Sequence, residues 1–185
     1  MQTQGRPELA ARWLTADGAR VRGRLLERLR QGDDLWGQVL HGFPYAEEIH
    51  RTEDLRGIDL SGEPLPRTVL RFACLEGACF DRCDLSHADM QGATLHHASF
   101  IGAHLVGAIL VGVHANGACF DEADLSHALL DASELCGASF RRGRLTKTDL
   151  TLSKLSGADF RGADLTDTRF GTATLDGALW DRQRS

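Results

Sequence analysis

From Leu55 to Trp180, every residue whose number is divisible by five is Leu, Phe, Met or Trp, Ala115 alone excepted, which makes 25 of 26 positions. Two residues before each, the chain takes Ala at 15 of 25 positions and Ser, Thr, Gly or Cys at most of the others. The stretch ADFRGADLTDTRF, Ala158 to Phe170, shows this alternation of small and large apolar positions within each pentad. An α-helix cannot use it, because five residues rotate by about 140° and spiral the large side chains around the axis. A flat strand fails as well, since five is odd and successive large residues would point to opposite faces. The spacing fits a chain that turns a corner once per pentad, with positions i−2 and i inward and i−1, i+1 and i+2 toward solvent.

Four such corners close a square coil, and a second period supports four. Phe80, Phe100, Phe120, Phe140 and Phe160 lie 20 residues apart, and Trp180 continues the series. Stacked at the roughly 4.8 Å spacing of paired strands, those rings form a ladder inside the coil. Gly at i+2 in 12 pentads suits corners with unusual backbone angles. Ala115 interrupts the core, so the coil is expected to pinch there or to leave a small cavity.

Residues 1–54 have another texture. Leu9 with Trp13, then Val21, Leu25 and Leu29, then Leu35, Trp36, Val39 and Leu40 recur at helical spacing, Pro7 suits a first turn and Gly32 a C-terminal stop. Two or three short amphipathic helices are expected to cap the first coil, with dimerisation or partner binding as the alternative. The division is therefore 1–54 helical cap or interaction module, 55–180 repeat, and 181–185 polar tail.

The pentads ADMQG, ADLSH, ADFRG and ADLTD, starting at Ala88, Ala123, Ala158 and Ala163, resemble the consensus A(D/N)Lxx of the pentapeptide-repeat family. That resemblance implies an all-β solenoid, a right-handed quadrilateral β-helix of about six coils, roughly 30 Å long. It also implies candidate functions, because members that protect DNA gyrase from quinolones are thought to act as DNA mimics. By the same analogy the partner is DNA gyrase or topoisomerase IV, and the end at Leu179 and Trp180 resembles the end-to-end dimer contact of some members, with Trp180 as a simple lid on the last coil the alternative.

The rest of the chain narrows the classes. No run of about 18 apolar residues and no signal-peptide core is present, so a cytoplasmic protein without membrane contact is expected. A net charge of −5 argues against direct nucleic-acid binding. Five cysteines without a CxxC suggest neither a disulfide framework nor a zinc ribbon. No GxSxG, GxxxxGK[ST] or HExxH occurs, the trio His96, His97 and His114 matches no zinc-ligand spacing, and carboxylates on a convex rod lack a cleft to raise their pKa. No enzyme, cofactor or metal is expected.

Function should then reside in the outward positions. Asp81, Asp84, Asp121, Glu122, Asp124 and Asp164 form partial acidic rows, the feature a duplex mimic needs, although Arg141, Arg142, Arg144 and Lys147 interrupt them. Ile109, Val111 and Leu129 are outward apolar residues, extended by Ile101 and Val106, and such a patch marks an interface, whether with a second copy, with the N-terminal helices folded back along the rod or with a foreign partner. Two readings follow: a topoisomerase-directed DNA mimic, or a protein-interaction scaffold or adaptor.

Overall fold

The computed structural model describes residues 7–32 and 54–181. The expected helix through Leu35, Trp36, Val39 and Leu40 lies outside them, as do residues 182–185. The described N-terminal part is α1 (Pro7–Ala11), a 3-10 turn (Arg12–Leu14) and α2 (Ala16–Gln31). Thr15 starts α2 with extended backbone, and its hydroxyl accepts the Gly18 N–H at 3.0 Å. Gly32 ends α2 at φ 77°, its N–H bonded to the Leu29 carbonyl, so the glycine stop acts as expected.

From Asp54 the chain winds in four-sided coils, one residue of each side pairing in parallel with the residue 20 positions later, as in Asp59 with Cys79 and Cys79 with Ser99. Side 1 is centred on Leu60, Phe80, Phe100, Phe120, Phe140, Phe160 and Trp180, and side 2 on Leu65 through Leu165. Side 3 is centred on Leu70 through Phe170, and side 4 on Leu55 through Leu175. Each side contributes one bridge residue per coil and no longer strand, because three extended residues between corners leave room for one. The backbone is nonetheless paired along the rod: the Leu105 N–H reaches the Asp124 carbonyl at 2.7 Å and Gly107 reaches Ser126 at 2.9 Å.

The pentad centres from Leu55 to Phe160 are wholly buried. Inside side 1, consecutive phenylalanine rings from Phe80 to Phe160 stack at 4.8–5.1 Å and within 7° of parallel. Ala115 keeps the pairing between coils, its N–H meeting the Glu134 carbonyl at 2.7 Å. Val113, equally buried, stands in the small-residue slot of the same pentad and brings a larger side chain than the alanine usual there.

The corners close with a hydrogen bond from the small residue to the preceding pentad centre, as from Ala78 to Leu75 at 3.0 Å, Ser133 excepted, and the third turn residue has positive φ at every corner but that of Gly171 and Thr172. Twelve of these positions are glycine. Another twelve are not, and they hold φ of 55–63° with side chains as large as Phe72, Arg142 and Leu152. The coil imposes the corner geometry; glycine only relieves it.

The N-terminal helices cover the first coil. Trp13, Leu25, Leu26 and Leu29 join its core, and the Trp13 indole N–H donates to the Arg56 carbonyl at 2.9 Å. Arg12 is buried against Asp54, two guanidinium nitrogens reaching its carboxylate oxygens at 2.8 Å, and Arg56 adds a contact at 2.9 Å. Burial pushes the Asp54 carboxyl up, but hydrogen bonds from Arg56 and Arg12 outweigh it and hold the group below its usual range. The cap role expected of residues 1–54 is thus carried, within the described part, by α1 to α2.

Candidate functional site

The outward side chains divide the rod into sides of different chemistry. On sides 1 and 2 the acidic residues mostly hold the coil itself. Asp81 accepts the Ser99 hydroxyl at 2.5 Å and the Ile101 N–H at 2.9 Å, and Asp121 repeats this two coils higher with Ser139 and Arg141. Asp84 and Asp124 each accept the N–H two residues on, from Ser86 and Ser126, both at 3.0 Å. Asp164 accepts the Thr166 N–H and hydroxyl, which lower its pKa. Glu122 pairs with Arg142 at 2.6 Å, and the Arg144 guanidinium comes to 4.0 Å of Asp124. Within the basic belt, Arg142 and Arg144 are thus counter-charges of the coil below, while Arg141 comes to 3.9 Å of Asp159 in the coil above.

Side 4 carries a polar column. His114 Nδ1 lies 3.1 Å from Glu134, which Lys154 contacts at 2.8 Å from the next coil. Hydrogen bonds from Lys154 and His114 bring the Glu134 pKa down to about 2. The His96 and His114 rings are 6.3 Å apart, and burial followed by the His114 charge lowers the His96 pKa. Among the described residues, no group of three His, Cys, Asp or Glu is placed to hold a metal ion. Burial raises the Cys74 and Cys79 pKa values to about 11 and that of Cys83 to about 12, so these thiols are protonated and unreactive near neutrality.

Side 3 differs. Ile109 and Leu129 are bridge partners in adjacent coils, Leu129 exposed and Ile109 half-buried, with Val111 beside them. Along the same column Asp89 is held by Arg71 at 2.7 Å and Asp149 is paired with Arg169, so neutralised charge brackets the apolar centre. The structure adds two residues that sequence reasoning missed: Leu152, 64% exposed, and Phe72, 41% exposed, both on the corner between sides 3 and 4. Their signal was a large apolar residue in the slot that glycine fills elsewhere. Ile101 is exposed but belongs to side 1, and half-buried Val106 lies on side 2 beside the side 3 patch.

Leu179 and Trp180 stand apart from side 3, on the last described coil. Trp180 stacks on Phe160 at 4.8 Å and meets Phe170 edge-on at 5.8 Å, while its outer surface is exposed.

The model of pentapeptide repeats matches in eight copies, over residues 54–86, 78–117, 88–126, 118–157 and 153–179. The chain belongs to the pentapeptide-repeat family. The family's four-sided right-handed β-helix is accordingly the fold of its coils. Among solved pentapeptide-repeat structures, Rfr23 from the cyanobacterium Cyanothece 51142 is 28% identical, with a TM-score of 0.50, over 50% of this chain and 64% of Rfr23. A pentapeptide-repeat protein of the Arabidopsis thaliana thylakoid lumen is 31% identical over 69% of this chain and 78% of its own, with a TM-score of 0.30. QnrB1, a plasmid-mediated fluoroquinolone resistance protein, is 22% identical over 71% and 79%, with a TM-score of 0.41. The chain thus spans less than two thirds of Rfr23. Among curated proteins none matches it. No helix among the described residues is long and apolar enough to cross a membrane.

Proposed function

We propose that this pentapeptide-repeat protein is a non-enzymatic binding rod, a scaffold or adaptor that engages a protein partner through side 3. One observation carries the reading: Leu152 holds a left-handed backbone at φ 63° with 64% of its surface exposed, where glycine would relieve the strain and remove the exposed apolar surface. A residue unfavourable on both counts is explained by a contact. Ile109, Val111 and Leu129 extend that contact across the side.

The topoisomerase-directed DNA mimic has less support. Such a rod needs regularly spaced, free carboxylates. Asp81 and Asp121 instead accept hydrogen bonds from the next coil, and Glu122 is ion-paired.

The test compares the purified protein with a Leu129→Ser/Leu152→Gly variant as immobilised bait in extract of the source cells. Proteins retained by the native rod and lost with the variant, its fold confirmed by a melting curve, support side 3 as the contact. Equal retention by both overturns it. Inhibition or protection of purified DNA gyrase in a supercoiling assay, abolished by reversing Asp84, Asp124 and Asp164, would move the assignment to the mimic.

A further inference from the structure

We propose that the occupant of side 3 is a partner's amphipathic helix whose apolar stripe is flanked by carboxylates; this rests on side 3 being the contact surface.

The side is bordered by two unlike corners. Toward side 2, successive coils present Arg67, His87, Gly107, His127 and Lys147, and the last coil ends the row with Asp167. Arg67 and Lys147 have no carboxylate partner among the described residues, unlike Arg71, Arg142 and Arg169, which do. Toward side 4 the corner reads Phe72, Gly92, Gly112, Ala132 and Leu152, without a charge. On the side 4 flank the column of Val111 continues to Asp131, whose carboxylate repels negative charge there, so the apolar centre is open to a partner that brings carboxylates along the Arg67–Lys147 flank only.

Geometry selects a helix. A side is about 10 Å wide and 30 Å long, about 300 Å², which matches the footprint of one short element and not the roughly 800 Å² per partner of an interface between folded domains. An added strand finds little backbone to pair with, because the N–H and C=O groups around the patch are already bonded from coil to coil: Ile109 donates to Ala88, Leu110 to Leu129 and Gly112 to Asp131. A helix brings a satisfied backbone of its own and a diameter of about 10 Å, close to the width of the side. Arg67 and Lys147 are four coil rises apart, about 19 Å, which is about 13 helical residues. Apolar residues at i, i+3, i+4 and i+7 would rest on Ile109, Leu129 and Leu152 while acids on the flank meet Arg67 and Lys147.

The probes are two synthetic 14-residue helical peptides with the same leucine stripe, one flanked by Glu and one by Lys, titrated by fluorescence anisotropy against the full chain. The Glu peptide is expected to bind roughly tenfold more tightly at low salt, with the preference shrinking as salt rises. Arg67→Glu/Lys147→Glu should invert the preference, and Leu129→Ser/Leu152→Gly should weaken both peptides; melting curves confirm that each variant is folded. Equal binding of the two peptides, or a preference untouched by charge reversal, overturns the proposal. Failure of both peptides while bait retention still depends on Leu129 and Leu152 overturns the helix alone and leaves side 3 as the contact. Anionic lipid vesicles bound through Arg67 and Lys147, with no binding of the Glu peptide, would overturn it in favour of a membrane surface.

Discussion

Sides 1 and 3 share one inner architecture and differ outside. Inward, both place a large apolar residue every 20 positions on a small-residue neighbour. Outward, side 1 uses Asp81 and Asp121 to tie successive coils together, whereas side 3 exposes Ile109, Leu129 and the corner Leu152 with no internal partner that their apolar groups need. The repeat therefore fixes what faces in and leaves each side free to strengthen the rod or to meet a partner. Charge alone does not mark the functional side: here the more charged side is the more structural one.

The comparison can be broken first at the core. Phe120→Ala should remove a wholly buried rung of the ring stack and cost about 3–5 kcal/mol in chemical denaturation. Next is the covered N-terminal end. Arg12→Ala leaves the buried Asp54 carboxylate with Arg56 as its remaining described partner and should cost about 3 kcal/mol. Because the folded pKa of Asp54 is depressed, its contribution is present above the unfolded value of 3.8 and is lost as pH falls below it. The native chain should therefore lose more stability than Arg12→Ala between pH 5 and 2, by roughly the size of that contribution.

A third substitution sharpens the contrast between sides. Asp121→Ala leaves the Arg141 N–H without its acceptor and should cost about 1–2 kcal/mol, although an outward carboxylate in a repeat is ordinarily expected to be silent. Leu152→Gly should do the opposite and raise stability by about 1 kcal/mol, because it relieves a left-handed backbone at an exposed corner. Loss of binding together with that gain would separate a contact residue from a structural one. The smallest effect is expected on side 4, where Lys154→Ala should change the melting temperature little, since the Glu134 pair is exposed.

Much of this was legible in the chain. The fivefold and twentyfold periods gave the square coil, its inward set and the ring ladder, because burial in a repeat is decided by spacing alone. Val113, larger than the alanine usual in the slot two residues before Ala115, was readable there as well. The outward positions of Asp81, Asp121 and Glu122 followed from the same spacing, but their engagement did not, since it depends on partners 18 and 20 residues later: Ser99, Ser139 and Arg142. Leu152 and Phe72 escaped notice because the corner slot is read as a glycine position, whereas the folded coil forces positive φ on whatever residue stands there. The pairing of Arg12 with Asp54 spans 42 residues and had no periodic signal to announce it.

The most direct test of the account places a photo-crosslinking amino acid at Leu152 on side 3 and, separately, at Glu122 on side 1, and illuminates each in cells that make the protein. The account predicts a discrete heterologous adduct from position 152 and none from position 122. An adduct from position 122 alone would contradict it and return function to the acidic side.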